Sequence, residues 1–222
     1  MRTSEEVTVI QFNKLDGILL DVDGTLWDST DEVARSYNES IQRHSDTGVV
    51  LDGKRLKQLF GKPMDEICAQ VFPMLEPEEQ MKLGECCFME ENEWLKEHHV
   101  PLYENVYETL EQLSQKVPLY IVSNCQKGYI EILFETTGIG PFIKGHLCYG
   151  DTGTSKGKTI RTLMEQYHLE NVVYVGDTQG DADACKEANV SFIFAAYGFG
   201  DVAEYDAKID DIRDLLECVI AK

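Results

Sequence analysis

Short apolar runs alternate with amphipathic stretches through most of this chain. The runs that predict buried strands lie at residues 16–21, 118–123, 171–175 and 191–195, with a weaker one at 147–149. Amphipathic stretches that predict helices lie at 102–116, 159–168 and 182–188. Strands that alternate with helices form parallel sheets covered by helices on both faces. The pattern therefore predicts an α/β fold with a Rossmann-like parallel sheet.

Residues 27–100 break this alternation, because they contain successive helical patterns and no convincing strand. Ser29 and Glu32 have the spacing of a capping box, which predicts a helix start. Pro77 predicts the first turn of a long helix that ends near Glu97. We therefore predict a core domain of residues 1–26 and 101–222. A helical cap domain, residues 27–100, is inserted between the first and second core strands. Residues 7–12 fit a strand or an N-terminal arm.

Polar side chains follow three of the predicted core strands. Asp21 and Asp23 end the first, Ser123 and Asn124 end the second, and Asp177 and Asp181 follow the run at 171–175, while Lys156 precedes a predicted helix. The carboxyl ends of parallel strands share one edge of the sheet, where ligands bind. Two carboxylates as close as Asp21 and Asp23 need a cation, a shared proton or water between them.

This set of side chains is suited to phosphate chemistry. Carboxylate oxygens at an edge that keeps some water are typical Mg²⁺ ligands. Ser123 and Lys156 can hold phosphate oxygens, and one aspartate is free to act as a nucleophile. We therefore expect a magnesium site next to a phosphate site.

In these motifs the chain resembles the haloacid dehalogenase superfamily. The Asp-Val-Asp-Gly-Thr stretch at 21–25 matches its first motif, and the strand that ends at Ser123 matches its second. Lys156 matches the third motif, a lysine that opens a helix, and Gly-Asp-Thr-Gln-Gly-Asp at 176–181 matches the fourth. All four occur in the family's order, and the helical insertion falls where that family places its cap domain.

The resemblance implies a role for each motif residue. Asp21 would attack the phosphoryl group and form a phospho-aspartate. Asp23 would protonate the leaving oxygen and later activate water. Mg²⁺ would be held by the Asp21 carboxylate, the Asp23 backbone carbonyl and Asp177. Ser123 and Lys156 would bind phosphate oxygens, and Asp181 would orient Lys156 or a metal-bound water.

Some assignments remain open between neighbouring residues. Lys158 could replace Lys156 as the phosphate ligand, although Lys156 lies at the expected helix start. The stretch at 153–159 imitates a nucleotide-binding phosphate loop, but Thr152 stands where that motif requires glycine. We also expect Thr25 and Asn124 to contact substrate. Lys62, in a Gly-Lys-Pro loop that resembles one in phosphoglycolate-phosphatase-like enzymes, is a further candidate or a solvated lysine.

Composition narrows the classes of partner and compartment. With 20 basic and 40 acidic residues, the formal charge is −20, which opposes nucleic-acid binding. No apolar run is long enough to cross a membrane, and residues 1–14 lack the apolar core of a secretory signal. The seven cysteines have neither Cys-x-x-Cys spacing nor an even count. We expect a cytoplasmic protein with reduced thiols.

The expected function is that of a Mg²⁺-dependent phosphatase, similar to phosphoglycolate phosphatases, acting on a small phosphorylated metabolite. A phosphosugar mutase is an alternative, because its core motifs would use Asp21 and Asp23 identically. A phospho-accepting signalling domain also groups aspartates, a hydroxyl and a lysine, but it is about half this length and carries its acceptor on a middle strand. A binding protein without turnover would not need the intact Asp21, Asp23, Lys156 and Asp177. The sequence assigns neither an oligomeric state nor a particular metabolite.

Overall fold

A six-stranded parallel sheet forms the centre of the protein, which is described here by a computed structural model over residues 12–220. The strand order is β4-β3-β2-β5-β6-β7. The strands are β2 (Gly17–Leu20), β3 (Leu119–Ser123), β4 (Ile143–Cys148), β5 (Val172–Gly176), β6 (Ser191–Ala195) and β7 (Ala207–Ile209). The short strands β1 (Phe12–Asn13) and β8 (Val219–Ile220) pair with each other. The predicted α/β class with a parallel Rossmann-like sheet is confirmed. Residues 7–11 of the undecided N-terminal segment lie outside the described range.

Four of the five helices between β2 and β3 precede residue 100. They are α1 (Thr30–His44), α2 (Gly53–Lys57), α3 (Met64–Val71) and α4 (Pro77–Glu97), and we call them together the helical insert. Helices α1 and α4 pack along each other, with Tyr37 of α1 edge-on to Phe88 of α4. The insert lies where the cap domain is predicted, and the division of the chain at residues 27 and 100 stays a prediction.

The remaining helices cover the two faces of the sheet. They are α5 (Val106–Ser114), α6 (Tyr129–Thr137), α7 (Tyr149–Thr152), α8 (Lys156–Tyr167), α9 (Gln179–Ala188) and α10 (Leu215–Cys218). On one face, Ile160 and Leu163 of α8 pack with Leu19 and Tyr174 of the sheet. The apolar residues of the opposite face form one continuous core with those of the helical insert. Strands β2, β3 and β5 are buried throughout, which explains why they read as apolar runs.

Local geometry moves several predicted helix boundaries. Helix α5 begins at Val106 rather than 102, because Asn105 has a left-handed backbone with φ of 66°. The capping box predicted at Ser29 and Glu32 is wrong, since the Ser29 side chain makes no capping bond. Instead, Asp28 Oδ1 accepts hydrogen bonds from the amide and hydroxyl of Thr30. The Ser29 hydroxyl is therefore available to form hydrogen bonds at the end of β2.

All seven cysteines are free thiols. Within residues 12–220, no helix combines the length and the apolar character that crossing a membrane requires.

Candidate active site

The loop after β2 places two aspartates at the carboxyl edge of the sheet. Asp21 directly follows β2 and is only 2% exposed, and its amide donates to Val175 of β5 over 2.9 Å. Gly24 has φ of +80°, and a Cβ at this position would collide with the carboxylate of Asp177. Glycine adopts such a backbone without steric cost. The loop therefore depends on Gly24 both for its turn and for the close approach of Asp177.

Lys156 forms ion pairs with an aspartate of the first motif and an aspartate of the fourth. Its Nζ lies 3.0 Å from Oδ1 of Asp21 and 2.6 Å from Oδ1 of Asp181, and the ammonium is almost fully buried. Burial lowers the pKa of Lys156, but the two carboxylates outweigh burial and raise it above its ordinary value. Burial raises the pKa of Asp21 to about 6, and Lys156 opposes that rise. Asp21 is therefore an ionised carboxylate at neutral pH, held by a permanent cation.

Asp181 is held by hydrogen bonds on both oxygens. Besides Lys156 on Oδ1, its Oδ2 accepts from the amide of Asp177 at 3.2 Å and from the amide and hydroxyl of Thr178 at 3.0 and 2.7 Å. The bond from the Thr178 amide is half of the capping box that begins helix α9. Asp181 therefore contacts Lys156 and the Asp177 backbone at the same time.

Asp177 is fully buried, and its carboxylate accepts fewer close hydrogen bonds than that of Asp181. Its Oδ2 accepts from the amide of Phe199 at 2.7 Å, whereas the hydroxyl of Thr25 approaches Oδ1 only to 3.5 Å. Burial, together with the charges of Asp181 and Asp21, raises the pKa of Asp177 to about 8. A carboxylate in such a place is stabilised by a cation.

The chemistry of the donor set fits a divalent cation. Oxygens of Asp21, Asp177 and Asp181 all lie within 4.8 Å of one another. These are hard oxygen ligands of the kind that Mg²⁺ prefers. Because both oxygens of Asp181 already accept hydrogen bonds, Asp21 and Asp177 are the carboxylates better placed to hold the ion.

Asp23 has a different environment. Its Oδ1 accepts three hydrogen bonds, from the Trp27 indole at 3.0 Å, the Ser29 hydroxyl at 2.8 Å and the Tyr129 hydroxyl at 2.8 Å. Burial raises the pKa of Asp23 to about 7, although the bonds from Tyr129 and Ser29 oppose the rise. A carboxyl group that titrates near neutral pH can both give and take a proton.

The second and third motifs meet the first at the same edge. Ser123, the last residue of β3, is 5% exposed and lines one cavity with Asp21 and Asp23. Lys156 begins helix α8 within reach of Asp21, whereas Lys158 is exposed on the same helix. The geometry thus favours Lys156 over Lys158.

The three predicted substrate contacts occupy different places. Asn124 lines the cavity, and its side-chain amide donates to the carbonyl of Gly61 at 2.8 Å, which ties the insert to the sheet edge. Lys62 also lines the cavity. Thr25 is fully buried beneath Asp177 and is not among the residues that line the cavity. Its position is that of a support for the carboxylate rather than a substrate contact.

The cavity lies between the sheet edge and the helical insert. It holds about 40 Å³ of space for water-sized molecules, so its occupant must be small. The sheet edge contributes Asp21, Asp23 and Ser123 to its wall. The residues contributed by the insert are Tyr37, Phe60, Gly61, Lys62, Met64, Ile67, Phe88 and Glu91.

Several residues at the site were missed by the sequence reasoning. Tyr129 and Ser29 bind Asp23 and also each other, with 2.8 Å between the two hydroxyl oxygens. Neither belongs to a motif, and the spacing of Ser29 and Glu32 predicted a capping role for Ser29 instead. Glu91 did leave a signal. It falls on the buried stripe of α4 with Cys87, Phe88 and Leu95, where the spacing predicts an apolar residue.

Comparisons with known proteins agree with this geometry. A family model described as haloacid dehalogenase-like hydrolase matches residues 18–195. A phosphoglycolate phosphatase from Photobacterium profundum is 24% identical over 229 residues, which cover 94% of this chain and 97% of that protein. A second phosphoglycolate phosphatase, from Pseudomonas putida, is 29% identical over 126 residues, covering 52% of this chain and 46% of that protein.

Solved structures show the same fold. A haloacid dehalogenase-like hydrolase from Streptococcus pneumoniae superposes with a TM-score of 0.78 at 20% identity, covering 91% of this chain and 97% of that one. CbbY from Rhodobacter sphaeroides, in complex with xylulose-1,5-bisphosphate, gives a TM-score of 0.77 at 16% identity, with 90% and 96% covered. These similarities confirm the predicted hydrolase and agree with a phosphatase. The chain belongs to the haloacid dehalogenase-like hydrolase family.

Proposed function

We propose that the protein is a Mg²⁺-dependent phosphatase that hydrolyses a small phosphomonoester through a phospho-aspartate. The observation that carries this proposal is the pairing of two unequal aspartates at one cavity. Asp21 is ionised and held by Lys156, while Asp23 has a pKa of about 7 and no lysine partner among the described residues. In such a pair one aspartate, Asp21, can act as the nucleophile and the other, Asp23, as the acid and base.

In the first step, a carboxylate oxygen of Asp21 forms a bond to phosphorus as the ester P–O bond breaks. The acid form of Asp23 gives its proton to the leaving oxygen, so that an alcohol departs. In the second step, Asp23, now a carboxylate, takes a proton from the water that attacks the phosphoryl group on Asp21. Inorganic phosphate leaves, and both aspartates return to their starting states.

The surrounding residues orient and stabilise these groups. Lys156 and Ser123 would hold phosphoryl oxygens, and Asp181 keeps Lys156 in position through its 2.6 Å contact. Asp21, Asp177 and the backbone carbonyl of Asp23 would hold Mg²⁺, which when bound neutralises charge between the nucleophile and the phosphate. Tyr129 and Ser29 fix the carboxyl group of Asp23.

The similarity to phosphoglycolate phosphatases supports a small, soluble substrate, as does the size of the cavity. The net charge of −20 disfavours nucleic acid as a substrate. The helical insert supplies the wall that would contact the leaving group, so the identity of the metabolite depends on the insert and not on the core motifs.

The test is phosphate release from a panel of phosphorylated metabolites and an aryl phosphate, with Mg²⁺ and after its removal by a chelator. We expect release only with Mg²⁺, and the added mass of one phosphoryl group on the protein during turnover. Asp21→Asn should lose at least about a thousandfold in kcat while its thermal unfolding stays cooperative. The exposed Asp183→Asn serves as the matched control.

Failure of every substrate, together with no phosphoryl adduct from any donor, would overturn the phosphatase proposal. Conversion of a sugar phosphate into its isomer without phosphate release would indicate a mutase instead. An Asp21→Asn variant that keeps wild-type activity would show that another residue is the nucleophile.

A further inference from the structure

Glu91 is a buried acid in the wall of the active-site cavity. It lies in the middle of α4, is 3% exposed, and lines the cavity together with Asp21 and Asp23. Its Oε2 atom has no hydrogen-bond partner in the part of the chain that the structure describes. Buried polar atoms in native proteins nearly always have partners, so an unpartnered one in a cavity wall is placed for a ligand.

The immediate surroundings make this a specific site. Phe88, one turn earlier on α4, and Ile67 of α3 contribute apolar surface to the same cavity. Gln126 and Tyr37 are the polar neighbours of the Glu91 carboxyl group, and both lower its pKa. Apolar walls with one convergent polar group are typical of pockets that orient a small ligand.

The charge of the cavity restricts what that ligand can carry. Three carboxyl groups line it, those of Asp21, Asp23 and Glu91, whereas Lys62 contributes the one lysine to its lining in the described residues. Lys156 is already paired with Asp21 and Asp181. Asp21 is ionised and the pKa of Asp23 is about 7, so a second anionic group on the substrate, beyond the phosphate, would meet negative charge with little cationic compensation.

Glu91 is in its acid form at neutral pH. Burial, with a smaller contribution from the charge of Asp23, raises its pKa to about 8, against interactions with Gln126 and Tyr37 that lower it. An acid-form carboxyl group has a hydrogen to donate and an oxygen that accepts. A hydroxyl group on the ligand can satisfy both, whereas an ammonium group can only donate.

We propose that Glu91 determines substrate specificity by hydrogen bonding to a hydroxyl group of the leaving alcohol, so that the preferred substrates are phosphorylated polyols rather than phosphorylated hydroxy acids. This inference rests on the proposed phosphatase activity and refines it. It separates this chain from its phosphoglycolate phosphatase relatives, whose named substrate carries a carboxylate.

The test uses three-carbon substrates that differ only in the group far from phosphate, with phenyl phosphate as the reference. They are glycerol 1-phosphate, 3-phosphoglycerate and 3-amino-2-hydroxypropyl phosphate. We expect the wild-type kcat/KM to be at least about tenfold higher for glycerol 1-phosphate than for the other two. Glu91→Leu should lower the ratio of kcat/KM for glycerol 1-phosphate to that for phenyl phosphate about tenfold, mainly through KM.

Glu91→Gln keeps a donor and an acceptor and tests the same point if the leucine variant is unstable. We expect it to keep the ratio of glycerol 1-phosphate to phenyl phosphate within about threefold. Glu93→Leu, at an exposed position on the same helix, is the matched control and should leave all ratios unchanged.

Three results would overturn the inference while leaving the phosphatase intact. These are a preference for 3-phosphoglycerate, a preference for the amine, or equal loss of activity on all substrates in both Glu91 variants, which would indicate a structural role. If wild-type protein hydrolysed no phosphomonoester, phenyl phosphate included, the phosphatase proposal would fail and this inference with it.

Discussion

The two walls of the cavity are built in different ways. At the sheet edge, Asp181 is held by hydrogen bonds on both oxygens, and Lys156 is shared between two carboxylates. In the helical insert, Glu91 leaves Oε2 without a partner among the described residues and is surrounded mainly by apolar side chains. One wall is preorganised by protein–protein bonds for a fixed chemical step. The other keeps an unsatisfied group that only a ligand from a limited chemical class can satisfy.

This contrast predicts where a substitution damages folding and where it changes selectivity. Lys156→Met leaves Asp21 and Asp181 buried without their cation, so we expect it to lose more stability than any other variant proposed. Breaking a buried ion pair by removing one partner costs about 3–5 kcal/mol of the free energy of unfolding. We also expect kcat to fall by at least about a hundredfold.

Urea unfolding and phosphate release measure these two effects. Lys158→Met on the exposed side of α8 is the control and should change neither quantity appreciably. If Lys158→Met lost activity while Lys156→Met kept it, the assignment of the phosphate lysine would have to be exchanged.

The two walls also differ in how far their residues can be predicted from the sequence. Asp21, Ser123 and Asp177 directly follow or end buried strands, and parallel pairing brings such ends together whatever the loops do. Their meeting could therefore be predicted from apolar runs and motif spacing. Lys156 was predicted because it begins a helix that leads into the next strand.

The partners of Asp23 could not be predicted in this way. Tyr129 is 106 residues away from it, and the Ser29 hydroxyl turns toward Asp23 because Asp28 already caps α1. Such contacts depend on which of two neighbouring side chains forms the local hydrogen bond. Glu91 was visible as a charge on an apolar helix stripe, but its role requires knowing that the stripe faces a cavity rather than a closed core.

The pH dependence of stability gives a second test of the contrast. The pKa of Glu91 is about 8 in the folded protein and lies near 4.5 when the group is exposed. Between these values the folded state holds a proton that the unfolded state has released, so stability is lost as the pH rises through this window. The glutamine of Glu91→Gln does not titrate, so this variant does not lose that stability as the pH rises.

We therefore expect the free energy of unfolding of Glu91→Gln, relative to wild type, to increase from pH 5 to pH 8 by up to about 4 kcal/mol and then to level off. Asp21, Asp23 and Asp177 contribute similar slopes to both proteins, which the comparison removes. Urea unfolding at a series of pH values measures the difference, with Glu93→Gln as the control. A difference that does not vary with pH would mean that Glu91 is already ionised in the folded protein.

Tyr129 lies where the two walls join, and its loss should have the smallest of these effects. Its hydroxyl donates to Asp23 Oδ1 at 2.8 Å and contacts Ser29, the residue before α1, at the same distance. In Tyr129→Phe the carboxyl group of Asp23 keeps its bonds from Trp27 and Ser29, so it stays in place but is held less firmly. Because a hydrogen bond to a charged group is worth about 1.5–3 kcal/mol, we expect kcat to fall roughly tenfold or somewhat more, with KM nearly unchanged. Tyr107→Phe, at an exposed position, is the control. A rise in KM without a change in kcat would show that Tyr129 acts on substrate binding, and that the helical insert reaches further into the catalytic wall than the contacts of Asp23 indicate.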